Sequence, residues 1–208
     1  MVIKGFWHIF AINHWYSIIS EQMRILIYSG LYDACEEINI GCIGSNEELE
    51  LLNKYFIEIY PKLVIRYHSE EPQDYEFRTI QLIEDDNSSY VGFYFHTKAV
   101  TSPLITRMNH WRGWLNEFVI NRWKEHYERV IDGYDVSAVN FLGSPNHFSG
   151  NFWWFNREHI DGLPKIDSLD HDFRYFAEQW ICMRKGKYFY EPFMEPGDNS
   201  YKIKKMED

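Results

Sequence analysis

The sequence is poor in positive charge and in cysteine, and both shortages exclude classes of function. Lys and Arg number 21 against 31 Asp and Glu, which gives the 208-residue chain a formal net charge of −10. Binding to a nucleic-acid backbone depends on neutralising phosphates with cations, so nucleic acid is a poor candidate partner. The three cysteines, Cys35, Cys42 and Cys182, are odd in number and lack C-x2-C spacing. We therefore expect reduced, packed thiols rather than a zinc site.

Long apolar runs, linkers and several catalytic signatures are also missing. No stretch approaches the ~20 apolar residues of a membrane-spanning helix, and together with the reduced cysteines this predicts a cytoplasmic protein. There is no G-x-S-x-G, P-loop, G-x-G-x-x-G or H-E-x-x-H motif, so hydrolase, NTPase, dehydrogenase and zinc-protease functions lose their usual signatures. Because repeats and Gly/Ser linkers are absent as well, we expect residues 1–208 to form one domain.

Aromatic residues are abundant instead. Trp, Tyr and Phe make up 18% of a chain that is otherwise of ordinary globular composition, with 45% hydrophobic and 25% charged residues. Such side chains combine large apolar area with polar groups. They serve a packed core and equally the stacking of flat or sugar-like ligands.

The first half alternates strand and helix patterns. We predict strands at residues 5–12, 38–43, 63–67 and 90–95. Helices are predicted between them at residues 14–29, from Ser45 to Phe56, and at 74–84. Gly30 is placed to end the first helix, and Ser45 with Glu48 forms a capping-box pattern. This order predicts an α/β fold with a mostly parallel central sheet and helices on both faces.

The second half has a different pattern. Residues 110–131 predict one long amphipathic helix. Strands are predicted at 136–142 and 150–155, around a turn at Gly143-Ser144-Pro145, and a further helix at 171–183, before a polar tail.

Three polar residues follow the fourth predicted strand, where ligands of open α/β sheets bind. Lys98 could neutralise a diphosphate, and His96 could ligate a metal or donate a proton to a leaving phosphate. The alternative is a strand end that surfaces into solvent. The same placement rule indicates Asn13, His14, Ser45 and His68, which also follow predicted strands or helix-capping turns.

A second cluster runs from His147 to Trp154. Gly150 suggests a close backbone approach, and the adjacent Trp153 and Trp154 must point to opposite faces of a strand. At most one of them is simple core. The other either stacks on a sugar or packs under the long helix, and the sequence favours neither.

A third cluster contains Asp167, Asp170-His171-Asp172, Arg174 and Glu178. The D-x-D pattern is weak in a chain with 31 acidic residues, and we prefer a helix N-cap for Asp170. Glu178 falls inside an aromatic helix, where a carboxylate is more often paired or functional.

Several of these blocks occur in the order seen in one enzyme family. They are Asn13-His14-Trp15 with Glu21-Gln22, Ser29–Ala34, Phe95-His96-Thr97-Lys98, Gly150–Trp154 and Glu178-Gln179-Trp180. Over residues 5–183 the chain resembles GT-A-type glycosyltransferases. It is similar in particular to rhamnan-synthesis-type glycosyltransferases and to the amino-terminal glycosyltransferase domain of chlorella-virus proteins that decorate capsid glycans.

The resemblance implies a nucleotide-sugar-binding half at residues 1–100 and an acceptor-binding half at 101–208. The donor-binding residues that it implies are Ala11, Asn13, His14, Tyr75, Thr79, His96, Thr97 and Lys98. Those implied for the acceptor sugar are His147, Gly150, Asn151, Trp153 and Trp154. Catalytic roles fall to Lys98 at the diphosphate and to Glu178, or less favourably Asp172, at the sugar.

The resemblance also implies the reaction. A rhamnose- or glucose-class sugar would pass from a nucleotide-diphosphate donor, with UDP favoured, to an oligosaccharide or glycoprotein acceptor, in the host cytoplasm if the protein is viral. No D-x-D follows the fourth strand, so Mn2+ or Mg2+ held by His96 and charge neutralisation by Lys98 alone remain alternatives. The competing function is a non-catalytic carbohydrate-binding module, which needs aromatics but no nucleotide.

Overall fold

The computed structural model describes residues 1–103 and 107–191. The strands are β1 (Ile3–Phe10), β2 (Glu37–Ile43), β3 (Leu63–Ser69), β4 (Val91–His96), β5 (Val136–Val139), β6 (Phe141–Gly143), β7 (Asn146–Phe148), β8 (Trp153–Asn156) and β9 (Tyr188–Glu191). The α-helices are α1 (Trp15–Tyr28), α2 (Leu31–Ala34), α3 (Asn46–Leu52), α4 (Phe77–Asp85), α5 (Arg107–Leu115), α6 (Trp123–Ile131), α7 (Arg157–Ile160) and α8 (Tyr175–Gln179). Two π-helical turns, Asn53–Ile57 and Asn116–Asn121, continue α3 and α5.

A seven-stranded sheet in the order β3-β2-β1-β4-β8-β5-β9 forms the centre of the domain. All its neighbouring strands pair in parallel except β8, which is antiparallel to both β4 and β5. From β1 the chain adds β2 and β3 on one side, and then places β4 on the other side. This reversal between β1 and β4 opens a crevice at their carboxyl ends, the usual ligand position in such sheets.

Alternate residues of the central strands build two cores, one on each face of the sheet. Trp7, Phe95 and Trp154 belong to the core under α1 and α6, whereas Tyr94 and Trp153 belong to the core under α4 and α8. This division follows from the two-residue repeat of a strand. The prediction of an α/β fold with helices on both faces of a mostly parallel sheet is confirmed.

Local signals in the first half give correct element ends. Gly30 adopts a left-handed φ of 80° directly after α1 and its cap Ser29, as a helix-ending glycine should. The Ser45 hydroxyl accepts a hydrogen bond from the backbone N–H of Glu48 at 3.3 Å and caps α3. Gly30 ends α1 and Ser45 caps α3 as predicted. Among the described residues the Glu48 carboxylate does not make the return bond of a capping box, and its buried Oε2 has no hydrogen-bond partner there.

The prediction of one continuous helix over residues 110–131 is wrong. The chain forms α5, the π-helical turn and α6, because two carbonyls inside the segment accept hydrogen bonds from side chains. The indole N–H of Trp154 donates to the Val119 carbonyl at 2.9 Å, and the His126 ring bonds the Phe118 carbonyl at 2.7 Å. Neither hydrogen bond can be predicted from the spacing of apolar residues along the segment.

The remaining elements of the second half are shorter and more numerous than predicted. Asn140, at a φ of 54°, separates β5 from a hairpin formed by β6 and β7. The predicted helix at 171–183 begins only at Tyr175, and it ends in a 3-10 turn at Trp180–Cys182. The predicted polar tail contains β9, which adds an edge strand to β5; its residues 192–208 lie outside the described part. Within the described residues, no helix is long and apolar enough to cross a membrane.

Candidate active site at the carboxyl edge of the sheet

A cleft of about 250 Å³ lies where the sheet topology predicts it. Phe10 at the end of β1, Ile43 at the end of β2 and His96 at the end of β4 contribute to its wall. Residues from the start of α4 and from α8 complete it. The volume is slightly below the ~300–1,000 Å³ typical of ligand sites, and the cleft opens to solvent beside the exposed Thr101 and Arg174.

Backbone contacts with β1 fix the segment that follows β4. The Thr97 N–H donates to the His8 carbonyl at 3.1 Å, and the Thr97 hydroxyl accepts from the Phe10 N–H at 2.9 Å. The Lys98 N–H then turns back to the His96 carbonyl at 2.8 Å. Thr97 is therefore tied to the sheet, and Lys98 is brought to the wall of the cleft.

Two cationic side chains line this cleft. The Lys98 ammonium lies 5.5 Å from the ring centroid of Trp111, and within residues 1–103 and 107–191 no carboxylate lies within ion-pair distance of it. Arg174 is exposed and hydrogen-bonds the Tyr175 hydroxyl at 3.2 Å. A cation without a carboxylate partner beside a cleft is suited to an anionic ligand such as a diphosphate.

His96 is buried and uncharged at neutral pH. Burial, followed by the nearby Lys98 ammonium, lowers its pKa to about 3. Its Nε2 lies 2.9 Å from the Gly150 carbonyl, which can only accept, so Nε2 carries the single ring proton. That proton is already used, which leaves none for a departing phosphate.

His8 lies beside His96 in the β1–β4 register and also lines the cleft. Its Nδ1 hydrogen-bonds the Thr79 hydroxyl at 2.9 Å, and burial lowers its pKa to about 4. The floor of the cleft is therefore formed by two neutral imidazoles. The sequence signal for His8 was a lone histidine in an apolar strand, two residues before the strand ends.

Glu76 is the functional candidate that the sequence analysis missed. One carboxylate oxygen, Oε2, accepts from the Tyr94 hydroxyl at 2.5 Å and from the Asn151 amide at 2.6 Å. The other oxygen, Oε1, lies 3.7 Å from Nδ1 of His96. In the structure Glu76 is the N-cap residue of α4. The predicted helix began at residue 74, which placed Glu76 in the first helical turn. Acidic residues are common there, so Glu76 did not stand out.

Glu178 lines the same cleft from α8 and is partly buried. Burial lowers the pKa of His96, and the negative charge of Glu178 acts in the opposite direction. Burial also raises the pKa of the Tyr94 hydroxyl, and the charges of Glu76 and Glu178 raise it further. The cleft thus has two carboxylates, Glu76 and Glu178, in addition to its cations. Such a site can oppose charges of both signs within one ligand.

Of the eight residues predicted to bind the donor, four line the cleft and four do not. Tyr75, His96, Thr97 and Lys98 line the cleft. Thr79 supports His8 from α4, and the Asn13 amide donates to the carbonyl of Val100, a lining residue, at 3.2 Å. Ala11 is buried against Gly44. His14 precedes α1 at its N-cap position without a side-chain cap.

None of the predicted acceptor residues lines the cleft, and two of them bond residues that do. Gly150 and Asn151 contact the lining residues His96 and Glu76. Trp153 stacks on Tyr94 and Trp154 on Phe93, and both indoles are fully buried, so neither has a face open to a sugar. His147 lies on the β6–β7 hairpin and hydrogen-bonds the Pro145 carbonyl at 2.7 Å.

The D-x-D pattern at residues 170–172 lies outside the cleft. The Asp170 carboxylate accepts from the Asp172 N–H at 3.0 Å in a local turn, and both residues are exposed. The N-cap prediction for Asp170 is wrong, because α8 begins at Tyr175 after Arg174, without a side-chain cap. In the described part of the chain, no hydrogen bond or ion pair joins the Asp172 carboxylate to a residue that lines the cleft.

The described residues do not make a metal site of their own. Over residues 1–103 and 107–191, no three His, Cys, Asp or Glu side chains come together as ligands. His96 offers only Nδ1, since Nε2 is bonded to Gly150. Among the described residues, the carboxylate oxygen that lies beside that nitrogen is Glu76 Oε1, at 3.7 Å. Two donors fall short of the usual three or four protein ligands of a transition metal.

No protein-family model matches the chain, and no curated protein matches it. Among solved structures, the chain is similar to a protein from Desulfovibrio desulfuricans G20 to which nucleotide-diphospho-sugar transferase activity has been ascribed. The two are 9% identical, with a TM-score of 0.39, over 92% of this chain and 80% of the other. A likeness at this TM-score does not establish a common fold or function.

Proposed function

We propose that the protein is a glycosyltransferase that moves a sugar from a nucleotide-diphosphate donor to a glycan acceptor. The observation that carries the proposal is the cleft at the β1–β4 switch point, which is lined by Lys98, Glu76 and Glu178. Among the described residues, Lys98 has no carboxylate within ion-pair distance. UDP is the favoured nucleotide, and a rhamnose- or glucose-class sugar the favoured group. An oligosaccharide or glycoprotein would be the acceptor.

The cations account for the departure of the diphosphate. Breaking the bond between the anomeric carbon and the phosphate leaves negative charge on the phosphate oxygens. Lys98 is held at the wall before any ligand arrives, so it stabilises that charge without reorganisation. Arg174, exposed at the mouth, adds a second cation that can hydrogen-bond phosphate oxygens through two N–H groups.

The carboxylates account for the other half of the reaction. Positive charge develops on the sugar ring as the diphosphate leaves, and the acceptor hydroxyl must lose a proton. Glu178 is assigned to these tasks because its carboxylate, unlike that of Glu76, is not fixed by two hydrogen bonds. Glu76 instead supplies a fixed negative charge beside His96, with Oε1 3.7 Å from the His96 Nδ1.

Charge neutralisation by the protein is the favoured alternative to a bound metal. A metal-dependent enzyme without a D-x-D after β4 would need other ligands, and His96 with Glu76 supplies two at most. Lys98 and Arg174 are already in the wall. GT-A membership, the identity of the nucleotide and metal independence are all part of the proposal.

Nucleotide titration is the direct test. UDP, dTDP and GDP are titrated calorimetrically into the folded chain, each with and without Mn2+, with uridine as the control that lacks phosphate. We expect saturable binding of UDP, weaker binding of uridine, and less than a threefold effect of Mn2+. If folded protein binds none of the three diphosphates but binds oligosaccharides, the carbohydrate-binding module replaces the transferase.

Glu178→Ala is expected to lower the rate of sugar transfer about 100-fold, which is the contribution typical of a general acid or base. The melting temperature should change little, since the Glu178 carboxylate accepts no hydrogen bond from the part of the chain that the structure describes. Asp172→Ala is the matched control, because Asp172 is exposed and outside the cleft. Wild-type turnover in Glu178→Ala, or an equal loss in Asp172→Ala, would contradict the assignment.

A further inference from the structure

Glu21 and Gln22 belong to a sequence block that the cleft itself does not explain. Both lie on α1, on the opposite face of the sheet from α4, and neither lines the cleft. Gln22 is nevertheless fully buried, as is Asn116 at the start of the π-helical turn. A buried amide is costly unless it is hydrogen-bonded, so their partners indicate what they are for.

Gln22 and a second buried side chain, Arg112, bond backbone carbonyls of the segment that ends in Lys98. The Gln22 amide donates to the His96 carbonyl at 2.9 Å and to the Asn116 side-chain oxygen at 3.3 Å. The Arg112 guanidinium, also buried, donates to the Lys98 carbonyl at 3.2 Å. Each end of the segment is therefore held by a side chain from a different helix.

Glu21 joins these two donors into one unit. Its carboxylate accepts from the Arg112 guanidinium at 3.0 Å and from the Asn116 amide at 2.8 Å. The Arg112 guanidinium also donates to the Asn109 side-chain oxygen at 2.6 Å, which fixes it further. We call the four side chains Glu21, Gln22, Arg112 and Asn116 the α1–α5 clamp.

The π-helical turn supports the clamp. It starts at Asn116 and inserts an extra residue per turn into the helix that carries Arg112. Such insertions occur frequently at functional sites. The ion pair between the buried Arg112 and the partly exposed Glu21 is also a poor source of stability, because removing the guanidinium from water offsets much of the attraction between the charges.

We propose that the α1–α5 clamp positions the His96–Lys98 backbone so that the Lys98 ammonium meets the diphosphate. Its members are positioning residues, since none of them lines the cleft. The inference rests on the proposed function, because it assigns Lys98 to the phosphates. Through these contacts α1 and α5, on the face of the sheet opposite α4, set the affinity for the diphosphate.

The test compares affinities for UDP and uridine in the full chain carrying Gln22→Met or Arg112→Lys. Methionine keeps the length of glutamine but cannot donate, and lysine keeps the charge but cannot reach two acceptors in a fixed fork. Because a small misplacement of a preorganised group is costly, we expect UDP affinity to fall about tenfold and uridine affinity to stay within twofold. Arg24→Met, at an exposed position on α1, is the control.

A double-mutant cycle separates positioning from general loosening of the fold. In a Lys98→Ala background, Gln22→Met should cause no further loss of UDP affinity, because the group that it positions is gone. Losses that add fully, or that are equal for UDP and uridine, would overturn the inference. So would unchanged UDP affinity in both clamp variants.

Hydrogen exchange distinguishes failure of the clamp from failure of the proposed function. Gln22→Met should speed amide exchange in the peptide covering residues 96–100 and leave β1 and β2 unaffected. If wild type binds neither UDP nor uridine while this exchange accelerates, the proposed function is wrong and the clamp holds the segment for another reason. If exchange there is unchanged, the clamp itself is refuted.

Discussion

Lys98→Ala is expected to lower sugar transfer about a thousandfold, the upper range for removing one preorganised group that stabilises developing charge. The ammonium has no ion pair to lose among the described residues, and its recorded contact is the Trp111 ring. The free energy of unfolding should therefore change by less than about 1 kcal/mol, the usual size of an exposed cation–π contact. Steady-state kinetics and thermal melting measure the two effects.

Lys54→Ala is the matched control for this substitution. The Lys54 ammonium lies 5.0 Å from the Tyr55 ring, outside the cleft, so its removal deletes the same kind of contact. Turnover should be unchanged. Were Lys98→Ala to transfer sugar at the wild-type rate, the cation assigned to the diphosphate would be the wrong one. A fall in both variants would point to a surface-charge effect instead.

Mild acid is expected to destabilise the protein steeply between pH 6.5 and 4. Burial lowers the pKa of His8 to about 4, of His96 to about 3 and of His126 to about 4. In the unfolded chain all three take up protons near pH 6.5, so the unfolded state binds more protons as the pH falls. Their contribution to stability is complete above pH 6.5 and is lost progressively towards the folded-state values.

The loss is roughly 4 kcal/mol at pH 5.5 if each histidine contributes about 1.4 kcal/mol per pH unit. Urea unfolding at pH 7.5, 6.5 and 5.5 measures it. His126→Gln removes one titrating group. The slope of its unfolding free energy against pH should therefore correspond to about one proton fewer than in the wild type. Stability that is flat over this range would show that these rings are not held neutral in the folded state.

The sequence predicts well those features that local chemistry determines. Gly30 ends α1 because its left-handed backbone is local, and Ser45 caps α3 because its acceptor lies three residues from its donor. The strand–helix order of the first half likewise needs only periodicity. The interruption between α5 and α6 is different, since it depends on two side chains that bond carbonyls within the segment. The Trp154 indole reaches the Val119 carbonyl from β8, and the His126 ring reaches the Phe118 carbonyl from eight residues further along.

The candidate site shows the same division. His96, Thr97 and Lys98 were identifiable because a buried strand turns polar at its carboxyl end, where ligands bind. Glu76 was not, because what distinguishes it from other glutamates is its pair of donors, Tyr94 on β4 and Asn151 just before β8. Trp153 and Trp154 looked equally suited to a core and to a sugar, and only packing decides in favour of the core.

The insertion of β8 between β4 and β5 ties formation of the site to folding of the whole domain. The bonds that define the cleft join residues far apart in sequence: Asn151 to Glu76 across 75 residues, Gln22 to His96 across 74, and His96 to Gly150 across 54. Contacts of such separation form slowly and late. A ligand of the cleft therefore selects the completely folded chain over every partly folded one, and its binding energy stabilises the domain against unfolding as a whole.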